Sequence, residues 1–246
     1  MGDRCDGRSA DELRTVKFEL DYQVHPAGSV VVSFGRTRVL CSVSVTEGVP
    51  RWMREQGVEG GWLTAEYRML PGATDHRSQR ASSSSGPSGR SLEIQRLIGR
   101  SLRAAVDLKR IPGKTLYVDC DVIDADGGTR CASITGAALA LELALQRMFV
   151  DGRTSEWPLQ DRVAAISVGM VDGRPLLDLC YREDSSADVD MNVVMLSNGR
   201  FVEVQGAAED QPFSQEEMDD MLSLAKQGIE QVFALQRETM KASVRA

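Results

Sequence analysis

Three stretches of this sequence carry residues suited to handling phosphate, and they lie far apart along the chain. The first, Asp126-Gly127-Gly128-Thr129-Arg130, falls between an alternating run and a long apolar run. A helix start offers backbone N–H groups without intrahelical partners and the positive end of the helix dipole, so an anion is favoured there. Glycines let the anion approach the backbone, while Thr129 and Arg130 add a hydroxyl and a guanidinium fork. A plain glycine turn joining a strand to a helix satisfies the same pattern, and these residues alone leave the two readings level.

The second stretch is Gly89-Arg90, just ahead of an arginine-bearing amphipathic run. Arg90 either supplies a second fork to the same anion or stands as a solvated charge near a helix start, where the dipole mildly disfavours it. The third runs from Glu183 to Asp190. Phosphoryl transfer uses carboxylates to hold a divalent cation and to manage the leaving group's proton, and Asp184 and Asp190 suit both tasks if the fold brings them together. Acidic turns are also commonly just solvated. Arg77 and Arg80, in a polar loop, are candidates to follow an RNA backbone. Arg96, Arg100 and Arg103 share a helix face with Glu93, which fits a salt-bridged surface or a subunit contact at least as well.

The surrounding pattern predicts the elements that must position these groups. Ser29–Ser33 and Arg38–Val45 are β-branched runs around a glycine turn, a hairpin signal, and Trp62–Met69 reads as a further strand. Pro71-Gly72 opens a polar segment, about 71–89, whose serine and glycine content marks a mobile surface loop. Ile94, Leu97, Ile98, Leu102, Ala105 and Val106 recur at helical spacing. Thr115–Val122 alternates as a half-buried strand does, and Ala132–Val150 is apolar on nearly every side, as a core helix must be. Arg162–Val171, Pro175–Tyr181, Met191–Leu196 and Phe201–Val204 read as strands, with Asp172-Gly173 and Asn198-Gly199 as turns. Ser214 and Glu217 form a capping box for a last helix, and the tail from Arg237 reads as polar and frayed. Separate runs of strands and helices favour an α+β class, with residues 1–246 as one domain.

Composition narrows the function. With 246 residues, 42% of them hydrophobic and 26% charged, the chain can bury a substantial core. A net charge of −7 argues against indiscriminate binding to nucleic acid, so basic residues must be concentrated locally. Between Arg68 and Arg110 nine basic residues face only Asp75, Glu93 and Asp107. Five scattered cysteines, with no Cys-x-x-Cys and no nearby histidine, indicate neither a disulfide framework nor a zinc site. His25 and His76 read as surface residues, which disfavours serine–histidine hydrolysis. No signal-like start and no apolar run long enough to span a bilayer are evident, so a cytoplasmic protein without membrane contact is expected.

Taken in order, the segments resemble the bacterial ribonuclease PH family of phosphorolytic tRNA nucleotidyltransferases. The matching stretches are Trp62-Leu63-Thr64-Ala65-Glu66-Tyr67, Gly89-Arg90 with Glu93-Ile94-Gln95-Arg96-Leu97-Ile98, and Asp119-Cys120-Asp121-Val122 leading to Asp126–Arg130. Glu183-Asp184-Ser185, Asp190-Met191-Asn192-Val193-Val194-Met195 and Glu203-Val204-Gln205-Gly206 follow, with shorter matches over nearly the whole chain.

The resemblance implies a ribosomal protein S5 domain 2-like fold and a homohexameric ring built as a trimer of dimers. It implies inorganic phosphate held by Arg90, Gly128, Thr129 and Arg130, a catalytic pair Asp184 and Asp190 binding magnesium, and tRNA contacts from Arg77 and Arg80. The implied activity removes 3′ nucleotides from tRNA precursors, with ribosomal RNA as a further substrate, releasing nucleoside diphosphates. Gly72 stands where relatives often carry arginine, and Thr15 where proline is usual. A non-catalytic RNA-binding ring subunit of an exosome-like assembly is the rival reading. A small-molecule kinase on the same topology is a weaker one, because no kinase-type phosphate loop accompanies Gly127-Gly128.

Overall fold

The computed structural model describes residues 4–79, 86–209 and 211–243. Among these, five strands form one sheet: β1 (Val16–Leu20), β2 (Gly28–Phe34), β3 (Thr37–Glu47), β4 (Trp62–Met69) and β5 (Lys114–Asp124), in the order β1-β2-β3-β5-β4. All neighbours are antiparallel except β4 and β5. The expected hairpin closes around Gly35, whose φ of 56° suits the tight turn. Along β3, Thr37, Val39, Cys41 and Val43 point into the core, and along β5 Leu116, Val118, Cys120 and Val122 do the same. Strand β1 was not foreseen, because its half-buried alternation is charged on alternate residues and carries no turn signal.

The second sheet contains β6 (Val163–Val171), β7 (Arg174–Leu177), β8 (Val189–Leu196) and β9 (Phe201–Ala208), in the order β7-β6-β8-β9 and antiparallel throughout. Five helices accompany the sheets among the described residues: α1 (Arg51–Glu55), α2 (Gly89–Arg103), α3 (Thr129–Val150), α4 (Tyr181–Asp184) and α5 (Gln215–Ser243). The long apolar α3 packs on β2 and β3 from one sheet and on β6 from the other, so a single hydrophobic core spans both. Its approach is close. A Cβ at Gly136 would stand 2.4 Å from a methyl carbon of Val32, so only glycine fits. The predicted α+β class holds.

Several expectations need correction. The Pro175–Tyr181 strand ends at Leu177, and Tyr181 begins α4 instead, because Glu183 caps the turn at Cys180. Ala105 and Val106 are buried but lie beyond the end of α2 at Arg103. The tail from Arg237 is not frayed up to Ser243: α5 continues, and Met240 is 5% exposed. The capping box stands, with Glu217 N–H donating to Ser214 Oγ at 3.2 Å and Ser214 N–H to a Glu217 carboxylate oxygen at 2.7 Å. Part of the 71–89 loop is anchored: Ala73 is buried and its carbonyl accepts from Ala125 N–H at 2.8 Å. Finally, α3 is long and apolar enough to cross a membrane by length and composition, where the sequence reading expects no such run, but 78% of its apolar stretch is buried inside the fold.

Candidate active site

The three sequence-distant stretches converge on one open cleft of about 1440 Å³. Arg90, Gly128, Thr129, Arg130, Asp184 and Asp190 all line it, together with Arg36, Arg38, Tyr181, Arg182 and Asn192. Each enters from a different element: Arg90 from the first turn of α2, the glycine turn and Arg130 from the start of α3, Asp184 from α4, and Asp190 from β8.

The glycine turn is held from below. Gly127 and Gly128 have φ of 75° and 65°. A Cβ on Gly127 would stand 2.6 Å from the Leu179 carbonyl oxygen, so the turn presses directly against the chain leading into α4. Thr37 Oγ1 donates to the Gly127 carbonyl at 2.7 Å and accepts from Asp126 N–H at 2.8 Å. Asp126 in turn accepts from Tyr181 N–H at 3.3 Å.

Beneath the turn lies a buried pair that the sequence did not reveal. Arg14 donates to Asp178 through its backbone N–H (2.9 Å), Nε (3.0 Å) and Nη2 (2.6 Å), and its Nη1 reaches the Asp126 carbonyl at 2.5 Å. Asp178 is 1% exposed with a φ of 53°, a left-handed conformation uncommon for a residue with a side chain. One guanidinium thus ties the glycine turn to the segment between β7 and α4, fixing both walls of the cleft. A second clamp holds α4: Arg4 grips Glu183 with two bonds of 2.8 and 2.6 Å, both side chains buried.

The basic groups divide into braced and free. Arg130 Nη1 donates to Gln205 Oε1 at 2.8 Å and lies 3.7 Å from Glu93, to which Gln205 also donates at 2.8 Å. Gln205 sits on β9 opposite Asn192 of β8, and Asn192 accepts from Cys131 Sγ at 3.2 Å. Arg90 is exposed and has no hydrogen-bond or ion-pair partner among the described residues. The hydroxyls of Thr129 and buried Tyr67 are 2.8 Å apart. Burial raises the Tyr67 pKa above its ordinary value, against the smaller opposing effects of the Thr129 hydrogen bond and the charges of Arg90 and Arg130.

Asp184 is half-buried, and its pKa is raised first by burial and then by the charge of Asp190; Arg130, Arg90 and Arg14 pull the other way without cancelling this. Neither carboxylate has a hydrogen-bond partner among the described residues. Two unpaired, mutually repelling carboxylates in one cleft are the donor set a hard divalent cation takes.

Of the remaining candidates, Arg77 is exposed in the loop next to His76, which lines the cleft, and Arg80 lies outside the described residues. Both histidines are exposed. Arg100 pairs with Glu203 and Arg103 packs over Trp62 at 5.0 Å, so these two helical arginines serve the surface rather than the cleft.

Comparison with known proteins gives the same direction. Residues 12–145 match domain 1 of the 3′ exoribonuclease (RNase PH) family, and residues 161–228 match domain 2. The structure is similar to rice (Oryza sativa) Rrp46, with a TM-score of 0.78 and 19% identity, covering 96% of this chain and 99% of that one. It is also similar to the Archaeoglobus fulgidus exosome with RNA bound to the active site (TM-score 0.76, 21% identity, 97% of this chain, 92% of that one). A third likeness is to an archaeal exosome core (0.74, 21%, 96% and 90%). At these identities the likeness shows the fold. With both domain matches in order and covering most of its length, the chain belongs to the 3′ exoribonuclease family and has the RNase PH fold.

Proposed function

We propose that this protein is a cytoplasmic phosphorolytic exoribonuclease that trims the 3′ ends of tRNA precursors, and of ribosomal RNA, using inorganic phosphate. The observation that carries the reading is the convergence of an anion-binding helix start, one free and one braced arginine, and two unpaired carboxylates on one cleft.

Phosphate sits at the start of α3, against the N–H groups of the glycine turn, between the forks of Arg90 and Arg130. The Tyr67 and Thr129 hydroxyls are 2.8 Å apart; with Tyr67 as the donor of that bond, the Thr129 proton is left to point at the anion. The two guanidinium groups offset the repulsion between phosphate and the terminal RNA phosphodiester, so that a phosphate oxygen attacks the phosphorus in line. The bond to the 3′ oxygen breaks, and the products are a nucleoside diphosphate and an RNA shorter by one nucleotide. Asp184 and Asp190 would hold magnesium, which supplies charge stabilisation at the departing oxygen. The phosphodiester broken and the phosphoanhydride formed are similar in energy, so excess nucleoside diphosphate drives nucleotide addition. Arg77 and Arg80 contact the tRNA body, and the active form is a homohexamer, a trimer of dimers.

The test is to incubate the protein with a 3′-extended tRNA precursor, with and without phosphate, and identify the released nucleotides. Diphosphates formed only with phosphate support the proposal; monophosphates formed without it make the protein a hydrolase. The likeness to archaeal exosomes supports a second reading, a non-catalytic RNA-binding ring subunit. RNA retained without any nucleotide release would establish that reading instead.

A further inference from the structure

Two of the five cysteines, 175 positions apart in sequence, meet at the outer end of the α4 clamp: Cys5 Sγ and Cys180 Sγ are 3.2 Å apart. Their proximity is enforced from both sides by one carboxylate. Glu183 accepts two bonds from Arg4, the residue preceding Cys5, and accepts from the backbone N–H of Cys180 at 3.0 Å. Arg4 also donates to the carbonyls of Leu177 and Asp178, at 2.8 and 3.1 Å. Cys5 is exposed and Cys180 is 6% exposed, whereas Cys41, Cys120 and Cys131 are closed in the core at 0%, 1% and 2%. Only this pair therefore joins a reachable sulfur to an adjacent one.

We propose that Cys5 and Cys180 form a reversible thiol–disulfide site, oxidised by low-molecular-weight disulfides, that fastens the segment around Cys5 to the start of α4. The Cys5 thiolate attacks one sulfur of the small disulfide, forming a mixed disulfide and releasing one small thiolate, which takes up a proton. Cys180 then loses its proton and attacks the Cys5 sulfur, forming the protein disulfide and releasing the second small thiolate. Two protein thiols give up two electrons and the oxidant is reduced to two thiols. The order follows from access: Cys5 is exposed whereas Cys180 is 6% exposed, so Cys5 is the first nucleophile. The sulfurs need to close by only roughly 1 Å to reach a disulfide bond length. Cys5, Cys180 and Glu183 are also the donor types of a metal site, but both Glu183 oxygens are held by Arg4, whose charge repels a cation.

The test is to treat the reduced, folded protein with oxidised glutathione and follow intact mass, titratable thiols and melting temperature. The expected result is a mass loss of two hydrogens and a fall in thiols from five to three. The melting temperature should rise by roughly 4–15 °C, because the cross-link closes a long loop. Dithiothreitol should reverse all three. Cys180→Ser should stop at a glutathione adduct on Cys5, and Cys5→Ser should give neither adduct nor cross-link. Wild type that stops at the Cys5 adduct overturns the proposal. So does thiol loss spread over Cys41, Cys120 and Cys131, or a one-to-one zinc complex that shields both thiols from the oxidant.

Discussion

Arg130 donates to Gln205 at 2.8 Å, and this contact, with Glu93 3.7 Å away, holds the guanidinium rather than leaving it free in solvent. A braced fork binds an anion with less entropy to lose than a free one. Arg130→Ala is expected to raise the KM for phosphate roughly 10–100-fold, the size of a charge-assisted hydrogen bond pair. Gln205→Ala should raise it less, by about 3–10-fold, with kcat nearly unchanged. Phosphorolysis rates against phosphate concentration check both, and equal KM values in wild type and Arg130→Ala would remove Arg130 from the anion site.

Asp184 carries a pKa raised by burial and by Asp190. Protonation of Asp184 therefore favours the native state: this contribution is complete below the ordinary value of 3.8 and is lost as pH rises through the raised native value. At neutral pH the charged group is a burden on stability, so Asp184→Asn should abolish phosphorolysis, retain RNA binding and stabilise the fold by about 0.5–1 kcal/mol. Asp190→Asn removes the like charge and should move the Asp184 midpoint, followed by carboxyl NMR, to lower pH. An unmoved midpoint would mean the two groups do not interact.

Gly127 leaves no room for a side chain and has a positive φ. Gly127→Ala is expected to cost about 2–4 kcal/mol through strain and overpacking, and to displace α4 together with Asp184. Denaturant unfolding measures the first effect and the turnover number the second. A stable variant with full activity would show that the turn does not press on α4 in solution.

Glu183 has a pKa held below the ordinary 4.5: burial works to raise it, and the hydrogen bonds from Arg4 and Cys180 N–H, with the charges of Arg4 and Arg8, outweigh that. Its stabilising contribution is present above 4.5 and is lost as pH falls through the depressed native value. Glu183→Ala leaves Arg4 buried without its carboxylate and should cost about 3 kcal/mol. The loss should be visible at pH 7 in urea titrations and should shrink in acid. A cost that stays constant down to acid pH would place the origin in packing rather than in the ion pair.

The sequence revealed those parts of the fold and site whose pattern is local. The β-branched run of β3, the alternation along β5, the apolar α3 and the Ser214–Glu217 box all depend on neighbours within a few residues, and each appears where the sequence places it. Gly127 and Gly128 marked a turn between strand and helix that an anion could approach, and Arg130 adjoined them. The supports were hidden because their partners are distant in sequence: Arg14 meets Asp178 and Arg4 meets Glu183 only after both sheets have formed. Asp178 gave no sign of its left-handed backbone. Glu183 opens the acidic run that ends at Asp190, yet its role is structural, and α4 leaves no sequence signal because a four-residue helix has no periodicity to read. Tyr67 and Gln205 stood within the matched motifs without any pattern to assign them a partner.

The shared spine α3 also bears on how the molecule can be divided. The two family segments meet between residues 145 and 161, which invites their separate expression. Yet Ala137, Leu141 and Ala144 on one side and Val163, Ala165 and Val193 on the other belong to one apolar cluster, closed by Ile229 and Val232 of α5. Cutting there would give two fragments, each exposing to water the surface that the other covers, and the half-cleft on each would lose the wall it needs.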